Sequence, residues 1–123
     1  MDWKLELVQV PVTNVDRAIA FYTDQAGFTL DHDHQVSDEL RFVQLTPPGS
    51  GCSISMGPPS EMAPGSLEGL QLVVPDIEAA HAELSGRGVE VGEIQDLPWG
   101  SFVFFKDPDG NSWAVQQITP RNA

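Results

Sequence analysis

One cysteine, Cys52, stands in the 123-residue chain. It excludes an intramolecular disulfide and a cysteine-based zinc cluster. Basic residues are scarce: Lys and Arg number 6 against 18 Asp and Glu, for a net charge of −12. A chain this acidic repels phosphate backbones, so nucleic acid is not expected as a partner. Its charge suits cationic or neutral small molecules better. Apolar runs are a few residues long, far below the ~20 needed to span a bilayer. Met1-Asp2-Trp3-Lys4 lacks the basic-then-apolar pattern of a secretory leader. No membrane partner is expected, and a cytoplasmic location is. No Ser–His–Asp order, phosphate-binding loop or paired-carboxylate motif is present.

What is present is a chain written twice. Its length suits one domain, residues 1–123. Val12-Thr13-Asn14-Val15-Asp16-Arg17-Ala18 is matched by Val74-Pro75-Asp76-Ile77-Glu78-Ala79-Ala80, and Gly27-Phe28 by Gly88-Val89. The stretch rich in Pro, Gly and Ser between the halves reads as a linker at about 58–66. A first module spans about 1–57 and a second about 67–120.

Each half predicts strand, helix and three strands. Leu5, Val8, Val10 and Val12 begin the first with mostly alternating apolar positions. Asn14 is a helix N-cap, Ala18, Ile19, Phe21, Tyr22 and Ala26 give an apolar face, and Gly27 stops the helix. Strands follow at about 28–35, 39–46 and 51–56. In the second half a strand at about 67–74 leads to a helix capped by Asp76 that runs to Ser85. Strands are expected at about 89–95, 101–106 and 112–118. Asp107-Pro108-Asp109-Gly110-Asn111 supplies Pro and Gly where a tight reversal needs them.

With Val12–Ala18, Phe21-Tyr22, Gly27-Phe28 and Asp107-Pro108-Asp109-Gly110-Asn111 in place, the chain resembles the vicinal oxygen chelate superfamily, the glyoxalase, bleomycin-resistance and extradiol-dioxygenase group. The resemblance covers nearly the whole chain. It implies an α+β fold of two βαβββ modules whose mixed sheets curl into a cup, and a homodimer. Enzymes of the group hold a divalent metal with His or Glu on the first and last strands of each module. Carried over, those positions fall on Leu7, Ser53 (or Ser55), Gly69 and Ala114. Leu, Gly and Ala offer no side-chain donor and Ser is a poor one, so no metal and no cofactor are expected.

Strand alternation suggests what the cup holds instead. Leu7, Gln9, Ser53, Ser55, Gly69, Gln71, Ala114 and Gln116 line it. Gln9, Gln71 and Gln116 offer donors and acceptors to neutral polar groups, or bond one another or water. Trp99, Phe102 and Phe104 are candidates to stack on an aromatic or cationic ligand. Asp31-His32-Asp33-His34 sets two imidazoles on one strand face and two carboxylates on the other. His32 and His34 are the candidate acid–base residues; a polar solvent-facing edge is the plainer alternative. Arg41 suits a surface ion pair with Asp38 or Glu39, Trp113 the core, and Trp3 a module edge or dimer contact. Cys52 suits a small buried residue. The leading expectation is a metal-independent small-molecule-binding protein resembling bleomycin-type resistance proteins. The alternatives are a metal-free isomerase, cyclase or lyase using His32 or His34, and a glyoxalase-like or dioxygenase-like metalloenzyme with atypical ligands.

Overall fold

A computed structural model describes residues 1–121 of the chain. It begins with β1, Leu7–Gln9. This strand is shorter than the alternation from Leu5 to Val12 suggests: it pairs with Ser53–Ser55, the Val10 N–H makes the last bond, to the Ser55 carbonyl at 2.8 Å, and Pro11 has no N–H to continue it. Asn14 caps α1, Val15–Ala20, by accepting the Arg17 N–H. The expected single helix to Gly27 then changes pitch. Phe21–Gln25 is a π-helical turn, inside which the Thr23 hydroxyl donates to the Ile19 carbonyl at 2.8 Å. Such back-bonding loosens a helix, and the wider turn leaves the adjacent Phe21 and Tyr22 both buried.

Strands β2 (Thr29–Gln35), β3 (Arg41–Thr46) and β4 (Ser53–Met56) complete the first module. The second comprises β5 (Leu70–Val73), α2 (Ile77–Gly86), β6 (Gln95–Leu97), β7 (Gly100–Lys106) and β8 (Ser112–Gln117). Asp76 caps α2 through the Glu78 and Ala79 N–H groups. Two open four-stranded sheets result, ordered β1-β4-β3-β2 and β5-β8-β7-β6. The first-listed pair of each is parallel and the others antiparallel, so both sheets are mixed. This is the α+β, doubled βαβββ architecture.

One strand falls elsewhere than expected. Residues 89–94 are irregular, and β6 starts only at Gln95. The Val89 N–H closes the end of α2 on the Leu84 carbonyl, and Gly92 makes a lone bond to the Phe104 carbonyl. Alternating Val89 and Val91 therefore pack inward without forming a ladder.

The two sheets stack on either side of the helices. Asp16 on α1 pairs with Arg41 on β3 at 2.9 Å. Five residues later Phe21 packs on Phe105 of β7, and Tyr22 on Trp113 of β8. Were the sheets joined side by side through β1 and β5, β3 and β7 would lie about 24 Å apart. Five helical residues rise only about 7.5 Å. Stacked sheets satisfy both contacts. Val10, Val43, Leu45, Ile54 and Met56 of the first sheet and Val103, Phe105, Trp113 and Val115 of the second then share one core with Tyr22, Ile77 and Leu84.

Asp107 joins the modules. Its Oδ1 accepts the Asp109, Gly110 and Asn111 N–H groups at 2.9–3.0 Å. Its Oδ2 accepts Asn111 Nδ2 at 2.7 Å and the Tyr22 hydroxyl at 2.8 Å. Trp113 Nε1 donates to the same Tyr22 oxygen at 3.0 Å, and Asn111 Nδ2 also reaches the Pro11 carbonyl at 2.9 Å. Gly65 fits beneath this turn because a Cβ there would sit 2.0 Å from the Asp109 carbonyl oxygen.

Burial, and next the Asp107 charge, push the Tyr22 hydroxyl far above its ordinary pKa. Unfolded, the phenol ionises near pH 10. The stabilisation it contributes is therefore complete below that pH and lost as pH rises beyond it. Tyr22 is the only tyrosine, so absorbance at 295 nm isolates it. Phenolate should appear above pH 10 in one step with loss of near-UV dichroism; ionisation near pH 10 with the fold intact would contradict this. Tyr22→Phe should cost about 1–3 kcal/mol in denaturant unfolding.

Candidate functional site

The strand registers place the expected lining residues on the open side of each sheet, away from the core. In the first, Leu7 pairs with Ser53 and Gln9 with Ser55, and Gln44 on β3 pairs with Ser55. His32 lies opposite Gln44 and His34 opposite Phe42. In the second, Gln71 pairs with Ala114, which pairs with Phe104, and Gln116 pairs with Phe102. Because the packed sides meet in the core, these two open sides face opposite ways. A single chain thus presents two half-sites, one polar and one aromatic, and does not bring them together.

The polar half-site holds groups outside the expected lining. Gln44 Nε2 donates to Ser53 Oγ at 3.3 Å, Ser53 Oγ lies 2.6 Å from Thr46 Oγ1, and Thr46 donates to Asp31. Asp31 was expected opposite the histidines, beside Asp33. A register shift between Leu30 and His32 turns its carboxylate onto their side instead. Asp33 goes to the packed side, where Arg41 binds it at 2.8 Å while also holding Asp16. Arg41 thus pairs with neither Asp38 nor Glu39. Its hydrogen bond and charge pull the Asp33 carboxyl below its ordinary pKa. His32 and His34 are exposed, with ring centroids 5.8 Å apart. Neither imidazole has a hydrogen-bond partner among the described residues.

The glutamines do not bond across the repeat. Gln9 donates to the Pro58 carbonyl at 2.8 Å. Gln71 donates to Gln116 Oε1 at 2.5 Å, and Gln116 Nε2 donates to the Trp99 carbonyl at 3.0 Å. That last bond ties the Trp99 loop to the aromatic half-site, with the indole 63% exposed. Phe102 and Phe104 lie in parallel, 6.1 Å apart and 5° from coplanar in orientation. Phe102 is buried and Phe104 exposed. Trp113 is in the core, Cys52 is half-buried, and Trp3 covers nothing within the chain.

The four positions the resemblance assigns to metal ligands do not fit an ion. Leu7, Gly69 and Ala114 carry no donor, and the Ser53 hydroxyl is engaged by Thr46 and Gln44. Among the described residues no three or more His, Cys, Asp or Glu cluster as a metal would require. No described helix is long and apolar enough to cross a membrane. A cleft of about 420 Å³ does open within the chain, between the Pro47–Ser50 turn and α2, but of the expected lining it holds Gln71 alone.

Comparison with known proteins agrees with the fold. The model of the family described as Glyoxalase/Bleomycin resistance protein/Dioxygenase superfamily matches residues 4–115. TnmS3, an antibiotic binding protein from Streptomyces sp. CB03234, is 36% identical, with TM-score 0.87 over 96% of this chain and 98% of its own. A glyoxalase/bleomycin resistance protein from the same organism is 37% identical, with TM-score 0.82 over 93% of this chain and 100% of its own. The uncharacterized protein YetH of Bacillus subtilis (strain 168) is 29% identical over 113 residues, 89% of this chain and 94% of its own.

Gln116→Ala should leave the fold intact, since Gln116 is outside the core, but release the Trp99 carbonyl. Amide hydrogen exchange should accelerate in the segment around 97–101 and stay unchanged in β8. Unaltered exchange at 97–101 would mean that the loop is held otherwise.

Proposed function

Since the chain belongs to the glyoxalase/bleomycin resistance protein/dioxygenase superfamily, we propose that it binds a small, largely aromatic molecule and holds it unchanged, without a metal, in a cup formed between two copies. The reading is carried by one observation: positions where superfamily enzymes place ion ligands bear hydrocarbon, a backbone-only residue and an occupied hydroxyl. The similarity to an antibiotic binding protein at 36% identity supports a small-molecule ligand. Binding without turnover asks for no catalytic group, which agrees with imidazoles that hydrogen-bond to no carboxylate among the described residues. A cytoplasmic site of action completes the reading.

A second copy supplies what each half-site lacks. The polar sheet of one chain facing the aromatic sheet of another encloses a ligand that neither encloses alone. Two features support this pairing. The edge strands β1 and β5 carry unpaired backbone groups and exposed Leu7 and Val73. Upstream of β1, Met1, Trp3 and Leu5 alternate with charged residues and are 70–102% exposed. Exposed apolar residues in a row along a free edge mark a contact surface.

Complementation tests the arrangement. Phe42→Asp spoils the polar half-site and Phe104→Asp the aromatic one. Each variant alone should lose binding of the fluorophore N-phenyl-1-naphthylamine. Mixed and allowed to exchange, they should regain about one-quarter of the wild-type sites, because half the dimers are mixed and each mixed dimer has one intact cup. No recovery despite demonstrated mixed dimers would overturn the shared cup. Chelator treatment should leave the affinity unchanged; loss of binding that returns with a divalent ion would overturn metal independence.

A further inference from the structure

Charge on the open side of the second sheet is concentrated in one residue. The chain has 6 basic residues. All four arginines are ion-paired: Arg17 with Asp109, Arg41 with Asp16 and Asp33, Arg87 with Glu83, and Arg121 with Glu78 and Asp96. Lys4 precedes β1. Lys106, at the end of β7, has no ion pair or hydrogen bond among the described residues and is exposed. Its position is set by the register that places the aromatic pair: Phe102 lies opposite Gln116, Phe104 opposite Ala114 and Lys106 opposite Ser112. Successive same-side residues on a strand are about 7 Å apart. The ammonium therefore extends the line of the two parallel rings at their more exposed end. Glu90 borders the same hollow as Lys106 but lies beyond ion-pair distance. Asp107, also at its border, spends both carboxylate oxygens on internal hydrogen bonds.

We infer that Lys106 is a specificity residue: it receives an acidic substituent, such as a carboxylate, sulfonate or phenolate, on the flat aromatic ligand that stacks on Phe104, the exposed ring of the pair. The inference rests on the aromatic half-site being a ligand surface, as proposed above. A net charge of −12 disfavours anions at long range, but separations beyond about 10 Å are screened at 0.1 M salt. Of the described residues that line the hollow beside Phe104, Lys106 alone is cationic. An acidic group there gains a charge-assisted hydrogen bond while the rest of the ligand stays on hydrocarbon.

Two probes sharing one ring system isolate the charge. 8-Anilinonaphthalene-1-sulfonate is an aromatic anion, and N-phenyl-1-naphthylamine is its neutral counterpart. Each is titrated by fluorescence into the wild-type protein and the Lys106→Met, Lys106→Arg and Phe104→Ala variants, with near-UV dichroism verifying the fold. Lys106→Met should weaken the sulfonate about five-fold, leave the neutral probe within two-fold of wild type, and flatten the salt dependence of sulfonate binding. Lys106→Arg should restore the sulfonate. If Lys106→Met leaves the sulfonate unchanged while Phe104→Ala weakens both probes, the role of Lys106 is overturned and the aromatic surface stands. If Phe104→Ala affects neither probe, the aromatic surface fails and the inference fails with it.

Discussion

The Asp107 carboxylate is the constraint on which the arrangement of this molecule depends. It is buried, and its two oxygens accept five hydrogen bonds, from three backbone amides, the Asn111 side chain and the Tyr22 phenol. The amides fold the β7–β8 turn upon itself. The phenol belongs to the other module. One acidic group therefore shapes the second module's hairpin and docks the first module's helix on it. A buried carboxylate is stable only when so fully satisfied, which makes the interaction directional as well as strong. The π-helical turn serves this contact by keeping Phe21 and Tyr22 both inward, one on Phe105 and the other on Trp113.

From that docking follows where the open surfaces lie. With the helices held between the sheets, each sheet turns its second side outward, and the two outward sides are chemically unlike. The first carries amides, hydroxyls, two imidazoles and a carboxylate brought round by a bulge. The second carries parallel phenyl rings, a loop tryptophan and two linked glutamines. The proposed ligand, with a polar edge and a flat apolar body, would need both. Leu7, Gly69 and Ala114 carry no side-chain donor. Those three positions present only hydrocarbon or bare backbone to the open surfaces.

Much of this was legible in the sequence because it depends on short-range periodicity. The matched segments around Asn14 and Asp76 revealed the doubling, and period-two alternation correctly assigned Gln9, Ser53, Gln71, Ala114 and Gln116 to the open sides. Three things were not legible. The bulge before His32 depends on cross-strand pairing, so Asp31 moved to the histidines' side unannounced. Arg41 found Asp16 and Asp33, which are remote or next-strand partners, and not its sequence neighbours. The pattern Val89, Val91 looks like a strand, yet the end of α2 captures its first amide. The missed residues Phe42, Gln44 and Thr46 did carry a signal: they alternate on β3 with the buried Val43 and Leu45. Whether the halves closed on each other or turned apart could not be read from either half, since it is decided by Tyr22 meeting Asp107 across 85 positions.

The account stands or falls on where a bound molecule lies. A crystal structure of the protein grown with 8-anilinonaphthalene-1-sulfonate decides it. The predicted result is the naphthalene against Phe104 of one copy, roofed by the Gln44 and Ser55 side of a second, with no ion in the cup. Density for the probe in the cleft beside Pro47 within one chain, or for a coordinated cation between the sheets, would contradict it.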